Sequence, residues 1–204
     1  MIKKVTILDY GVGNIFNLYK SLERLNYSVN ISSNSKKISN SERLIIPGVG
    51  AFKEGIENIK KRNLIETIKS YVKNQRPLLG ICLGMQYLMS YSEEFGKTDG
   101  LKIIKGNVIQ FKKNKENKVP HIGWNYLYNN NDKIFLNLKK KPTFYFCHSF
   151  YVNPKNKKNK LSETKYSNIN FCSAIRKENI YGCQFHPERS GKNGEIFLKN
   201  FMSI

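Results

Sequence analysis

The 204-residue sequence has no long hydrophobic run, no C-x-x-C pair, and few acidic or guanidinium side chains. The apolar stretch from Met1 to Leu8 is interrupted by Lys3 and Lys4 and stops at Asp9, far short of a secretion signal or a membrane span. No membrane partner is expected. The four cysteines, Cys82, Cys147, Cys172 and Cys183, have neither the spacing of a zinc site nor the density of a disulfide scaffold. No metal is therefore expected, and a reducing cytoplasm suits these thiols. Asp and Glu number 15 against 35 Lys and Arg, a net charge of +20, which by itself suggests nucleic acid. Yet only six of the basic residues are arginines, and lysine lacks the planar fork that reads guanine and stacks on bases. The Lys- and Asn-rich runs at 112–118 and 153–160 carry no interleaved aromatics for bases to stack on. They read as exposed loops, and no nucleic-acid partner is expected.

What is present is an ordinary globular composition, 40% hydrophobic and 25% charged, at a length that suits one domain over 1–204. Val5-Thr6-Ile7-Leu8 is β-branched and apolar, and after a Gly-rich turn Ile15, Leu18, Tyr19, Leu22 and Leu25 recur at helical spacing. The same alternation continues. Residues 28–32 and 44–46 read as strands, 53–74 as one or two helices, and 78–81 as a buried strand leading to a helix from Met85. Short strand candidates follow at 106–111, 143–147, 171–176 and 180–185. The expectation is an α/β fold: a doubly wound, mostly parallel central sheet flanked by helices, with antiparallel strands added in the second half.

Chemistry concentrates in three stretches. In Gly80-Ile81-Cys82-Leu83-Gly84 a cysteine stands between two glycines where a buried strand should turn sharply into a helix. Such an elbow strains the nucleophile's backbone and crowds its neighbours, so small residues are needed at Gly80 and Gly84. It also aims the sulfur at a helix N-terminus, which favours thiolate and can stabilise an oxyanion. Taken alone, the same stretch is compatible with a buried structural cysteine in a tight turn. A thiolate nucleophile needs a base, and only His121, His148 and His186 are available. His186 precedes Pro187, which biases it toward extended backbone, so that His186 and Glu188 at i and i+2 can project to one side. Cys82, His186 and Glu188 then satisfy triad logic. The third stretch, Pro47-Gly48-Val49-Gly50, lacks the Lys and Ser/Thr of a phosphate-binding loop. It could turn a backbone N–H toward an oxyanion, or be an ordinary strand-to-helix turn.

Together with Asp9–Asn14, Pro120–Asn125, Tyr145–Tyr151 and Gln184–Glu188, these stretches resemble the class I, triad-type glutamine amidotransferases over nearly the whole chain. More narrowly, they resemble the glutaminase subunits of imidazole glycerol phosphate synthase. The resemblance implies that Cys82 attacks the carboxamide of glutamine, that His186 passes a proton to the departing ammonia, and that Glu188 holds the imidazole. It implies an oxyanion hole from the N–H of Leu83 and one from the Val49–Gly50 region. It also implies a glutamine site from Gln86, Glu94 and the backbone of Ser149 and Phe150. No cofactor is implied. The implied partner is a cyclase shaped as an eight-stranded β/α barrel, which consumes the ammonia in histidine synthesis. Asn14, His121, Trp124, Asn125 and Tyr145 fall in motifs near that interface. Arg189 stands where lysine is common, keeping the charge but changing its shape. Two other readings stay open: a paralogous glutaminase feeding another acceptor, such as a surface-sugar amidotransferase, and an elbow-cysteine protein without glutaminase activity.

Overall fold

The computed structural model describes residues 3–112, 118–128 and 131–204; residues 113–117 of the first lysine-rich run lie outside them. The first half runs β1 (Lys4–Leu8), α1 (Ile15–Arg24), β2 (Ser28–Ser32), α2 (Ser35–Ser39), β3 (Leu44–Ile46), α3 (Phe52–Lys61), α4 (Ile65–Lys73), β4 (Leu78–Ile81) and α5 (Leu83–Tyr87). Residues 53–74 thus form two helices. The helix expected from Met85 begins two residues earlier and is a single turn or so. The second half adds β5 (Tyr91–Ser92), β6 (Thr98–Asp99), β7 (Gly106–Gln110), β8 (His121–Tyr126), β9 (Thr143–His148), β10 (Phe150–Pro154), β11 (Lys160–Tyr166), β12 (Ile169–Lys177), β13 (Ile180–Cys183) and α6 (Gly191–Phe201).

The main sheet has the order β2-β1-β3-β4-β13-β12-β10-β7-β5-β6, with β11 on β12. The first five strands are parallel neighbours, and from β13 to β12 the pairing turns antiparallel. Two features differ from the expected topology. β13, expected as an antiparallel addition, also pairs in parallel with β4. β8 and β9 form a separate two-stranded sheet rather than extending the main one. Strand pairing is decided by what lies beside a strand in space, which a short apolar run does not encode.

Both faces of the central strands β3 and β4 are apolar and buried, as a sheet covered on two sides requires. Leu44 and Ile46 of β3 join one core cluster, with Phe52, Ile56, Ile59 and Tyr71 of α3 and α4. Ile45 joins the other, with Leu18 and Leu22 of α1 and Phe197, Leu198 and Phe201 of α6. The period of two in β3 therefore divides the core into two layers around the sheet. Among the described residues, no helix is long and apolar enough to cross a membrane.

Candidate active site

Four carboxyl ends of parallel strands, those of β1, β3, β4 and β13, open on one side of the sheet. The strand order reverses between β1 and β3, and open α/β sheets bind ligands in the crevice such a reversal leaves. Here the crevice is a cleft of about 320 Å³. Asn14 enters it from the β1 loop, Val49 and Gly50 from the β3 loop, Cys82 and Leu83 from the end of β4, and His186 from beyond β13.

Cys82 has φ 54° and ψ −109°, a left-handed conformation costing a non-glycine residue about 1–3 kcal/mol. The surroundings enforce it. The Cys82 N–H donates to the Cys183 carbonyl at 2.7 Å, and the Cys82 carbonyl accepts from Met85 and Gln86 at 3.1 and 3.2 Å. A Cβ at Gly80 would come within 2.6 Å of the Gly84 carbonyl oxygen, and one at Gly84 would run into the Ile46 carbonyl oxygen. Both glycines are thus required by close backbone approach. Leu83 opens α5, so its N–H has no carbonyl four residues back in the helix.

His186 has the extended backbone expected before Pro187, with φ −101° and ψ 94°, and its Nδ1 lies 2.9 Å from Glu188 Oε1. Cys82 is the other group that bears on this ring. Burial by itself disfavours a charged ring, but the Cys82 sulfur and the Glu188 carboxylate outweigh it and push the His186 pKa up to about 11. The second carboxylate oxygen of Glu188 is buried without a partner among the described residues. The backbone of His186 is tied to β9, its N–H donating to the Tyr145 carbonyl at 2.9 Å.

The residues expected around glutamine surround the same cleft. Gln86, Glu94, Ser149 and Phe150 all line it. Gln86 Nε2 donates to the Phe150 carbonyl and to Gln184 Oε1, each at 3.1 Å. Glu94 Oε2 accepts from the Phe52 N–H at 2.5 Å, capping α3, whose own N-cap residue Ala51 offers no side-chain acceptor.

The residues expected near a partner divide. Trp124 is 58% exposed and meets the Tyr145 ring edge-on, with centroids 6.1 Å apart. The Arg189 guanidinium lies 4.4 Å over the same Tyr145 ring. Asn125 and Asn14 are half-buried. His121 is not at the surface: it is 2% exposed, because alternation along β8 turns it inward while Ile122, Trp124 and Tyr126 face out. It packs instead on His148.

Two residues at the site, Gln184 and His148, have no role assigned from the sequence. Gln184 Nε2 lies 3.5 Å from Cys82 Sγ, and His148 lines the cleft. Gln184 was within reach of reasoning, since two residues before His186 an extended chain points the same way. His148 carried no such signal; its role depends on β8 being its neighbour. Among the described residues, no group of three or more His, Cys, Asp or Glu is placed to hold a metal ion.

Comparison with known proteins fixes the class. The family described as "Glutamine amidotransferase class-I" matches residues 6–204, and the chain belongs to it. Solved structures share the fold at low identity. PurLQS from Thermotoga maritima superposes with a TM-score of 0.77 at 19% identity, covering 100% of this chain and 99% of that one. A glutamine amidotransferase from the same organism gives 0.67 at 15%, covering 100% and 84%. Sequence relatives are nearer. The imidazole glycerol phosphate synthase subunit HisH of Caldanaerobacter subterraneus is 46% identical, covering 97% of this chain and 96% of the relative. HisH 2 of Methanococcus maripaludis is 42% identical, covering 97% and 98%. Within its class, the chain belongs with the HisH subunits.

Proposed function

We propose that the chain is the glutaminase subunit of an imidazole glycerol phosphate synthase and that Cys82, His186 and Glu188 carry its chemistry. The Cys82 thiolate attacks the side-chain carbonyl carbon of glutamine, and the negative charge moves to the carbonyl oxygen. The Leu83 N–H and one from Val49–Gly50 stabilise that oxygen. The C–N bond then breaks as the imidazolium of His186 gives its proton to the leaving nitrogen, releasing ammonia and leaving a glutamyl thioester. Water, deprotonated by the now neutral His186, attacks the thioester, and glutamate leaves with Cys82 restored. Glu188 keeps the imidazole oriented and balances its charge throughout. Gln86, Glu94 and the backbone of Ser149 and Phe150 hold the glutamine. These steps need no cofactor.

The observation that carries this reading is the strained Cys82 facing a His186–Glu188 pair in one cleft. Ammonia is mostly protonated at neutral pH and ammonium is no nucleophile, so a second active site must be docked against this one. The outer face of β8 suits docking: Ile122, Trp124 and Tyr126 are 59, 58 and 49% exposed, an apolar stripe of the kind that marks protein interfaces. With Tyr145 beside Trp124 and Arg189 over the Tyr145 ring, this face receives the cyclase, Asn14 and Asn125 are assigned to the same interface by the family resemblance, and the chain works as one domain in the cytoplasm.

The test is glutamate release from glutamine by the chain alone and with a histidine-pathway cyclase plus its ribonucleotide, with Cys82→Ala as control. Weak activity alone that rises steeply with the loaded partner is expected. A wild type as inactive as Cys82→Ala under both conditions overturns the reading, and activity without any rise points to a different ammonia acceptor.

A further inference from the structure

His121 and His148 are Cα partners across the β8–β9 pair and both are buried. Their hydrogen bonds form a line with only one consistent set of protons. His148 Nδ1 lies 2.7 Å from the Phe150 carbonyl oxygen, which can only accept, so Nδ1 carries the hydrogen. In a neutral ring Nε2 is then an acceptor, and it lies 3.0 Å from His121 Nδ1, which must donate. His121 Nε2 in turn accepts from Asn125 Nδ2 at 3.4 Å. Burial holds both rings neutral, lowering their pKa values to about 4 for His121 and about 3 for His148. The Phe150 carbonyl thus receives two donors, His148 and Gln86. Gln86 leads on to Gln184, and Gln184 to the Cys82 sulfur. With both hydrogens of Gln86 Nε2 spent inside, its Oε1 has no partner among the described residues and is left for the substrate.

We propose that His148 is a positioning residue for the glutamine pocket: it sets the Phe150 carbonyl against which Gln86 is oriented, and His121 fixes it in the tautomer that does so. This rests on the glutaminase reading above. The pair also joins the pocket to the β8–β9 hairpin, whose outer side carries Trp124 and Tyr145.

Two readouts test it. Long-range ¹H–¹⁵N NMR of the wild type should show His148 as the Nδ1–H tautomer; an Nε2–H tautomer overturns the proposal. Steady-state glutaminase kinetics with the cyclase bound then separate two variants. Asn places its amide where Nδ1 stood, so His148→Asn should keep the KM for glutamine within about threefold by retaining the donor to Phe150. Gln reaches the Nε2 position instead, so His148→Gln should raise KM at least tenfold while kcat falls less. A merely structural role would lower the melting temperature of both variants and leave KM alone. A wild type that releases no glutamate overturns the glutaminase reading and this role with it, whereas an active wild type and an unchanged KM in His148→Gln overturn the positioning role alone.

Discussion

At the scale of single residues, the site depends on one sulfur and the charges facing it. Replacing Cys82 with serine keeps the shape but removes the accessible ionisation. Glutamate release should fall by several orders of magnitude while the thermal melt stays within a few degrees, which a coupled assay and circular dichroism would check. The same variant probes His186. Its pKa is raised, so the charged ring contributes stability that is fully present below about pH 6.5 and is lost as pH rises through about 11. Cys82 supplies the leading upward contribution, so in Cys82→Ser the His186 ring should deprotonate at lower pH than in the wild type. An NMR titration of His186 with the same midpoint in both proteins would count against the pairing. These features were legible in the sequence because each is local: an elbow between two glycines, and a His-Pro-Glu whose members lie two residues apart. Gln184 shares that local signal, two residues before His186 on an extended chain, whereas the place of His148 depends on a partner strand whose His121 lies 27 residues away.

At the scale of elements, two pieces of backbone chemistry govern the cleft. The turn from β4 to α5 exists only because the chain can pass close to Ile46 without a side chain at Gly84. Gly84→Ala should therefore destabilise the chain by more than about 4 kcal/mol, among the exceptional single-residue effects. Gly96→Ala is the control: it has a positive φ of 99° but its Cβ would meet nothing within 4 Å, so its cost stays near the low end of the roughly 1–3 kcal/mol of backbone strain. Urea unfolding of both variants would separate crowding from strain. The second piece is the β8–β9 hairpin. Because His121 and His148 have depressed pKa values, the unfolded chain binds more protons than the folded one below pH 6.5. Their stabilisation is complete above that pH and lost as pH falls through about 4 and 3. Stability measured by urea between pH 7 and 4.5 should fall more steeply in the wild type than in His121→Gln; equal slopes would refute a neutral buried pair.

At the scale of the whole molecule, a strong positive charge coexists with a small apolar docking face. The lysines at 155, 157 and 158 are exposed on a turn between β10 and β11, while Lys160 pairs with Glu163 at 2.6 Å. Binding energy for a folded partner should instead concentrate at Trp124, since exposed aromatics dominate interfaces. Trp124→Ala should weaken association with the cyclase at least tenfold by calorimetry, with the melting temperature of the isolated chain little changed. An unaltered affinity would move the interface elsewhere on the surface.

Local sequence sets the alternation of strands and helices through the parallel half, the strained cysteine, and the His-Pro-Glu pairing of imidazole and carboxylate, because period, turn chemistry and spacing act over a few residues. Tertiary structure alone decided that β13 lies beside β4 and so brings His186 to Cys82, that β8 and β9 leave the main sheet, and that His121 turns inward to His148. Those outcomes follow from which surfaces bury one another across long stretches of chain, and burial of that kind is a property of the assembled layers rather than of any short segment.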